Sequence, residues 1–134
     1  MTTQRETTSE LEALFVDEGV QAIDSVLRTV LEQFVGFTRD GRIITKPPYL
    51  KLSDPTRVLV SLLGRQAMAR LKISGVRQEA NPEELASECL VPVKSCREYL
   101  SRLKARRLLD KNEAGYFVPT WAVSNVATVV LKKQ

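Results

Sequence analysis

The 134-residue sequence predicts a mainly α fold with a small β-hairpin, an α+β arrangement. Three observations predict it. Apolar residues recur at intervals of three and four over residues 9–35, 55–72, 81–89 and 93–107, the period of a helix with one buried face. Helix-starting chemistry precedes these runs: Ser9 with Glu12, Ser53-Asp54-Pro55, and Asn81-Pro82. Two pairs of short apolar runs are instead separated by Gly-containing turns, which is hairpin patterning.

Residues 1–8 are polar and Thr-rich and are expected to fray. Ser9-Glu10-Leu11-Glu12 matches a capping box. Val16, Val20, Ile23, Leu27, Val30 and Phe34 follow at alternating spacings of four and three, a seam of heptad type widened by Leu11, Leu14, Phe15, Val26 and Leu31. This predicts one helix, or two broken near Gly19, over residues 9–35, ending at Gly36. The seam suits two uses. It is either a dimerisation face built on Val20, Ile23, Leu27, Val30 and Phe34, or an extra core helix of its own chain. About three heptads do not decide between them.

Phe37–Thr45 reads as a hairpin around Asp40-Gly41, a favoured type I′ pair. Lys46-Pro47-Pro48 breaks helix and marks a connection. The next helix, residues 55–72, buries Val58, Leu59, Leu62, Leu63, Ala67 and Leu71. Residues 73–80 form a loop with room for a short strand beside a later hairpin. Asn81 is a good N-cap, and Pro82 fits the first helical position, where a missing N–H would be unpaired anyway. Leu85 and Cys89 share a face of this short helix. Leu90, Val91 and Pro92 make a tight turn. The helix after it, residues 93–107, buries Cys96, Leu100 and Leu103, with Arg107 in the same direction. Leu108-Leu109-Asp110 and Tyr116-Phe117-Val118 flank a turn with Asn112 and Gly115. Thr120 then caps a helix through about Leu131 with Trp121, Val123, Val126, Val129 and Val130 apolar. The β-branched residues leave strand open for residues 126–131.

Charge is unevenly spread. Residues 1–50 carry five Lys/Arg against eight Asp/Glu, and residues 51–134 carry fifteen against eight. Between Lys94 and Lys111 stand seven basic residues and two acidic ones, the electrostatic footprint of phosphate binding. On a helical wheel the ridge opposite the buried face is Lys94, Glu98, Ser101 and Ala105. Arg97 and Lys104 flank it on one side, Arg102 and Arg106 on the other. Short residues allow close approach to a major groove, and basic flanks reach both phosphate backbones. Lys94, Ser95, Arg97 and Glu98 lie nearest the base edges, where Arg pairs with guanine and Glu accepts from cytosine N4. Lys111, in the hairpin, adds a minor phosphate contact. The candidate DNA-binding set is thus Lys94, Ser95, Arg97, Glu98, Arg102, Lys104, Arg106 and Lys111, and double-stranded DNA is the expected partner. The bland alternative is that these charges only solvate an exposed helix.

The stretch PEELASECLVPVKSCREYLSRLKARRLLD, followed by KNEAGYFVP, resembles the winged helix-turn-helix DNA-binding domain of MarR-like and ArsR-like transcription regulators and of many archaeal regulators. The shared pattern is a Glu-Leu-Ala start and a second helix ending yLxxLxxxGLv, matched by Tyr99-Leu100, Leu103 and Leu108. The resemblance implies a winged-helix domain over residues 51–134, with the N-terminal helix and hairpin of residues 1–50 as a dimerisation or packing element. The expected role is transcription regulation or that of a chromatin-associated factor, and a homodimer joined by the N-terminal helix would match a palindromic site. Leu90 and Arg107 stand where the family usually has Gly. Positive φ is costly with a Cβ, so the helix ends are expected to differ locally.

Other classes are disfavoured. The start MTTQRETTSE lacks the apolar core of a secretory signal, and no run approaches the ~20 apolar residues that cross a bilayer, so a cytoplasmic protein without membrane contact is expected. Cys89 and Cys96, with no histidine in the chain, do not complete a tetrahedral metal site, and no cofactor motif is present. The cysteines read as small buried hydrophobes, with a disulfide as the alternative in a hyperthermophile. Phosphate-binding loops, nucleophile elbows and HExxH are lacking, and the adjacent pairs Asp17/Glu18 and Glu83/Glu84 point apart on a helix. An enzyme is not expected. The competing function is a protein-interaction module, a non-catalytic subunit of a larger complex, because the same fold also docks proteins.

Overall fold

The computed structural model describes residues 23–73 and 75–132. Helix α1 is described over residues 23–31. It is followed by β1 (Val35–Phe37), β2 (Ile43–Thr45), α2 (Pro47–Leu50), α3 (Asp54–Arg70), α4 (Pro82–Cys89) and α5 (Val93–Ala105). Then come β3 (Asp110–Asn112), β4 (Gly115–Phe117) and α6 (Val123–Lys132), the last entered through a 3-10 turn over Thr120–Ala122. The fold is mainly helical, with two separate antiparallel hairpins, β1–β2 and β3–β4.

Helix α3 is the centre, and α4, α5 and α6 all pack against it. It is buried nearly all round, from Thr56 and Val58 to Ala67 and Met68, as a core helix must be. Each of its buried polar side chains makes a hydrogen bond, although Gln66 Oε1 finds no partner among the described residues. Thr56 shares a bond with Ser53 at 2.8 Å, Ser61 shares one with the Tyr49 hydroxyl at 2.8 Å, and Gln66 donates to the Val118 carbonyl. The β1–β2 hairpin lies across Gly64, where an added Cβ would sit 3.2 Å from Ile43 Cδ1.

The seam of α1 is filled within one chain. Leu27, Val30 and Phe34, which on sequence suit either a dimer face or a core helix, are 3%, 1% and 2% exposed. They belong to the same core cluster as Leu59, Leu63 and Val126. Ile23 is half-buried against that cluster, and Arg70 Nε of α3 ties Asp24 of α1 at 2.8 Å. Surface already removed from water in cis is not free to face a second copy, so these side chains are corrected from dimer contacts to core. Val20, like the capping box at Ser9 and the residues up to 22, lies outside the described residues.

Several boundaries differ from the sequence expectation, each for a local reason. Helix α1 stops at residue 31 rather than 35, because Phe34 N–H turns back onto the Leu31 carbonyl and Lys46 N–H bonds to the Phe34 carbonyl. Gly36 therefore pairs with Ile44 in a strand and caps nothing. The β1–β2 loop is longer than a two-residue turn. Thr38 N–H bonds to Arg42 O, and Gly41 N–H to Thr38 O, with Gly41 at φ 89. Pro47 and Pro48 do not interrupt helix but start the single turn of α2, where missing N–H groups cost nothing, and this turn delivers Tyr49 to the core. Pro119, not Thr120, precedes the last helical segment, and no side chain caps it. Residues 126–131 are helical. Val123, Val126, Ala127 and Val130 form one buried face, and its packing overrides β-propensity. Among the described residues, no helix is long and apolar enough to cross a membrane.

Candidate nucleic-acid interface

Helix α4 is fixed at its start by a reciprocal capping box. Glu84 N–H donates to Asn81 Oδ1 at 2.8 Å, and Asn81 N–H donates to Glu84 Oε1 at 3.2 Å. Leu85, Ala86 and Cys89 bury its inner face. It ends at Leu90, whose φ of 60 and ψ of 45 are left-handed. Val91 N–H returns to the Ala86 carbonyl at 3.0 Å, and Pro92 opens α5. Helix α5 ends the same way. Arg107 has φ 63, Arg107 N–H bonds to Lys104 O, and Leu108 N–H bonds to Leu103 O, the Schellman pattern. The expected local departure from this geometry at Leu90 and Arg107 is therefore not found. Both turns keep the left-handed backbone without glycine, held by these closing bonds and by Val91 and Leu108 buried just beyond.

Arg57 braces the turn from α3. Its Nε donates to the Cys89 carbonyl at 3.0 Å and its Nη1 to the Leu52 carbonyl at 2.7 Å, while Nη2 pairs with Asp54. Tyr99 adds a longer bond from its hydroxyl to Asp54 at 3.5 Å. Sequence reasoning missed both contacts, since nothing in local spacing marks partners 32 or 45 positions away.

Helix α5 buries Cys96, Leu100 and Leu103 and leaves Lys94, Arg97, Glu98, Ser101, Arg102, Lys104, Ala105 and Arg106 exposed. Ser95 is half-buried. Arg97 is engaged with Glu83 of α4, and backbone hydrogen bonding, followed by this Arg97 contact, holds the Glu83 carboxyl below its usual range. Among the described residues, Lys94, Arg102, Lys104 and Arg106 have no ion-pair partner. The α5 N-terminus carries no capping side chain and no acid in its first turn, so its leading N–H groups stay bare. Arg107 was assigned to the buried direction, but the helix stops at Ala105. The left-handed turn puts Arg107 at the surface, and Leu108 takes the core position instead.

The β3–β4 hairpin is short, with Asn112 paired to Gly115. Asn112 Oδ1 accepts from Ala114 N–H at 2.8 Å and Gly115 N–H at 3.2 Å, and its amide donates to Glu79 at 3.0 Å. Asn112 is thus spent on the turn. Lys111 stays exposed, 5.2 Å from the Tyr116 ring centroid. The strand looked for in residues 73–80 is one bridge, in which Ala80 and Tyr116 exchange two bonds of 2.9 Å. Both cysteines are free and buried, and burial pushes the thiol of Cys89 up and that of Cys96 up to about 11. Among the described residues, no cluster of His, Cys, Asp and Glu could hold a metal ion.

Comparison of the chain with protein-family models, with curated proteins and with solved structures found no match.

Proposed function

We propose that this chain is a winged helix-turn-helix protein that binds double-stranded DNA, with α5 in the major groove and β3–β4 as the wing, and that it acts in transcription regulation. The observation that carries this reading is the outer face of α5: Lys94, Arg102, Lys104 and Arg106 are exposed and unpaired among the described residues. Within residues 93–106 the only acid is Glu98, so this face concentrates positive charge as phosphate binding needs. Two further features agree. The bare N-terminus of α5 favours a phosphate, and α4 reaches it through a left-handed turn of three residues, as the resemblance leads one to expect. Last-turn cations also oppose the helix dipole, which accounts for Arg102 and Lys104 in part but not for Lys94. Arg97 reaches DNA only by leaving Glu83, and Lys111 is a minor contact. Catalysis forms no part of the proposal.

The test is anisotropy of a labelled blunt duplex. The double variant Arg102→Ala/Arg106→Ala, at exposed positions, is expected to bind roughly tenfold or more weaker while remaining folded. Selection from random duplexes then asks whether one sequence is enriched, as regulation requires. A second reading has one observation in its favour. A groove of about 380 Å³ between α1, β1 and the end of α3, with the exposed Leu71 and the half-buried Phe37 in its lining, suits a protein-interaction module. Wild-type protein that ignores duplex at low salt would favour that reading.

A further inference from the structure

An exposed indole and a guanidinium without an ion-pair partner among the described residues meet at the C-terminal end of α5. Trp121, the only tryptophan of the chain, is 62% exposed although it stands between the buried Val118 and Ala122. Arg107 carries its side chain on a left-handed backbone, where glycine would be cheaper. Both line the same hollow of about 440 Å³, together with Lys104, Leu109 and Asp110. Among the described residues, neither Lys104 nor Arg107 has an ion-pair partner. Leu109 is buried and forms the floor. Asp110 accepts the Lys111 N–H at 2.8 Å through one carboxylate oxygen, so the lining presents two free cations against one partly engaged carboxylate. Neither the indole nor the Arg107 guanidinium is used by the core; the left-handed backbone of Arg107 is the helix-ending conformation that Lys72 and Leu90 share, and it turns the guanidinium out into this hollow.

We propose that Trp121, Lys104 and Arg107 form a nucleotide site, in which an unpaired base stacks on the indole and the phosphate next to it lies against the two cations. A flat aromatic face beside paired cations is the chemistry of single-strand recognition, where stacking tolerates every base and Lys or Arg follows the backbone. The site lies at the end of α5 opposite the bare N-terminus. It deepens the DNA-binding reading, and rests on it, by naming the substrate as duplex with an unpaired tail or opened end.

The single tryptophan makes the test direct. Indole fluorescence is followed while oligothymidylate of roughly ten nucleotides, a blunt duplex and the same duplex with a thymidine tail are each titrated in. Oligothymidylate is expected to quench the emission, and the tailed duplex to bind about tenfold tighter than the blunt one. Affinities of the variants are read by anisotropy of labelled DNA, because Trp121→Ala and Trp121→Phe carry no tryptophan. Trp121→Ala, at an exposed position, should abolish the advantage of the tail while leaving blunt-duplex affinity unchanged, and Trp121→Phe should restore part of it. Arg107→Gly, which fits the left-handed turn, should reduce the advantage with the fold intact. Blunt duplex bound with no gain from the tail overturns this site and leaves the duplex reading standing. Quenching by oligothymidylate without binding of blunt duplex does the reverse. Quenching that leaves Trp121→Ala with full tail preference overturns the stacking role, and binding of neither polymer overturns both.

Discussion

Leu90 and Arg107 hold φ values of 60 and 63, where a Cβ costs roughly 1–2 kcal/mol. Leu90 is 68% exposed, so replacing it loses little burial. Leu90→Gly is therefore expected to raise stability by about 1 kcal/mol, after the larger unfolded-state entropy of glycine is subtracted. A higher urea midpoint at unchanged slope is the signature. Arg107→Gly should gain similarly yet bind nucleic acid less tightly, so that stability and affinity move in opposite directions. Gly115 is the converse case. Its φ is 139 and an added Cβ would lie 2.5 Å from the Ala80 carbonyl oxygen, so Gly115→Ala should lose more than about 1 kcal/mol and loosen the hairpin, seen as lost amide protection at Tyr116. Cys96 gives a pH signature. Its thiol ionises at the ordinary 9.0 when unfolded and at about 11 when folded, because it is buried. Its stabilising contribution is complete below pH 9 and is lost as pH rises towards 11. Cys96→Ala should flatten the alkaline fall of stability, and a curve parallel to wild type would contradict this origin.

At the scale of elements, α5 depends on its buried side. Leu100 is fully buried midway along it, and Leu100→Ala should cost on the order of 2–5 kcal/mol in a denaturant titration. A loss below about 1 kcal/mol would put the wrong face outward. Helix α1 gives a sharper contrast. Leu27→Glu would place a charge in a core that one chain completes by itself, so it should unfold the protein rather than split a dimer. Circular dichroism with sedimentation distinguishes these: a folded monomer made from a wild-type dimer would contradict the core assignment. Pairing α4 with α5 was legible in the sequence because Asn81-Pro82, Leu85, Cys96, Leu100 and Leu103 are local signals. The fate of α1 was not legible. An apolar seam has the same spacing whether its partner is another chain or the central helix of its own. Arg107 was misplaced because a wheel carries its period past the point where the helix stops. Pro47 and Pro48 read as a break because the same residues end one helix and begin another.

For the molecule as a whole, the basic residues between Lys94 and Lys111 gather on one helix and the turn and hairpin that follow it. Helices α1, α3 and α6 share one core with α4 and α5, and α4 packs against both α3 and α5. The exposed cations of α5 stand on that rigid base, and their collective effect is what a solution experiment can read. The most direct test is a salt series on blunt-duplex binding, with wild type beside Arg102→Ala/Arg106→Ala. With Lys94, Arg102, Lys104 and Arg106 each displacing a counterion, log K should fall against log salt with a slope of about −4. The double variant, folded by circular dichroism, should have a slope flatter by about two units. Wild-type affinity insensitive to salt, or a double variant with the same slope and affinity, would contradict the assignment of α5 as a DNA-binding helix.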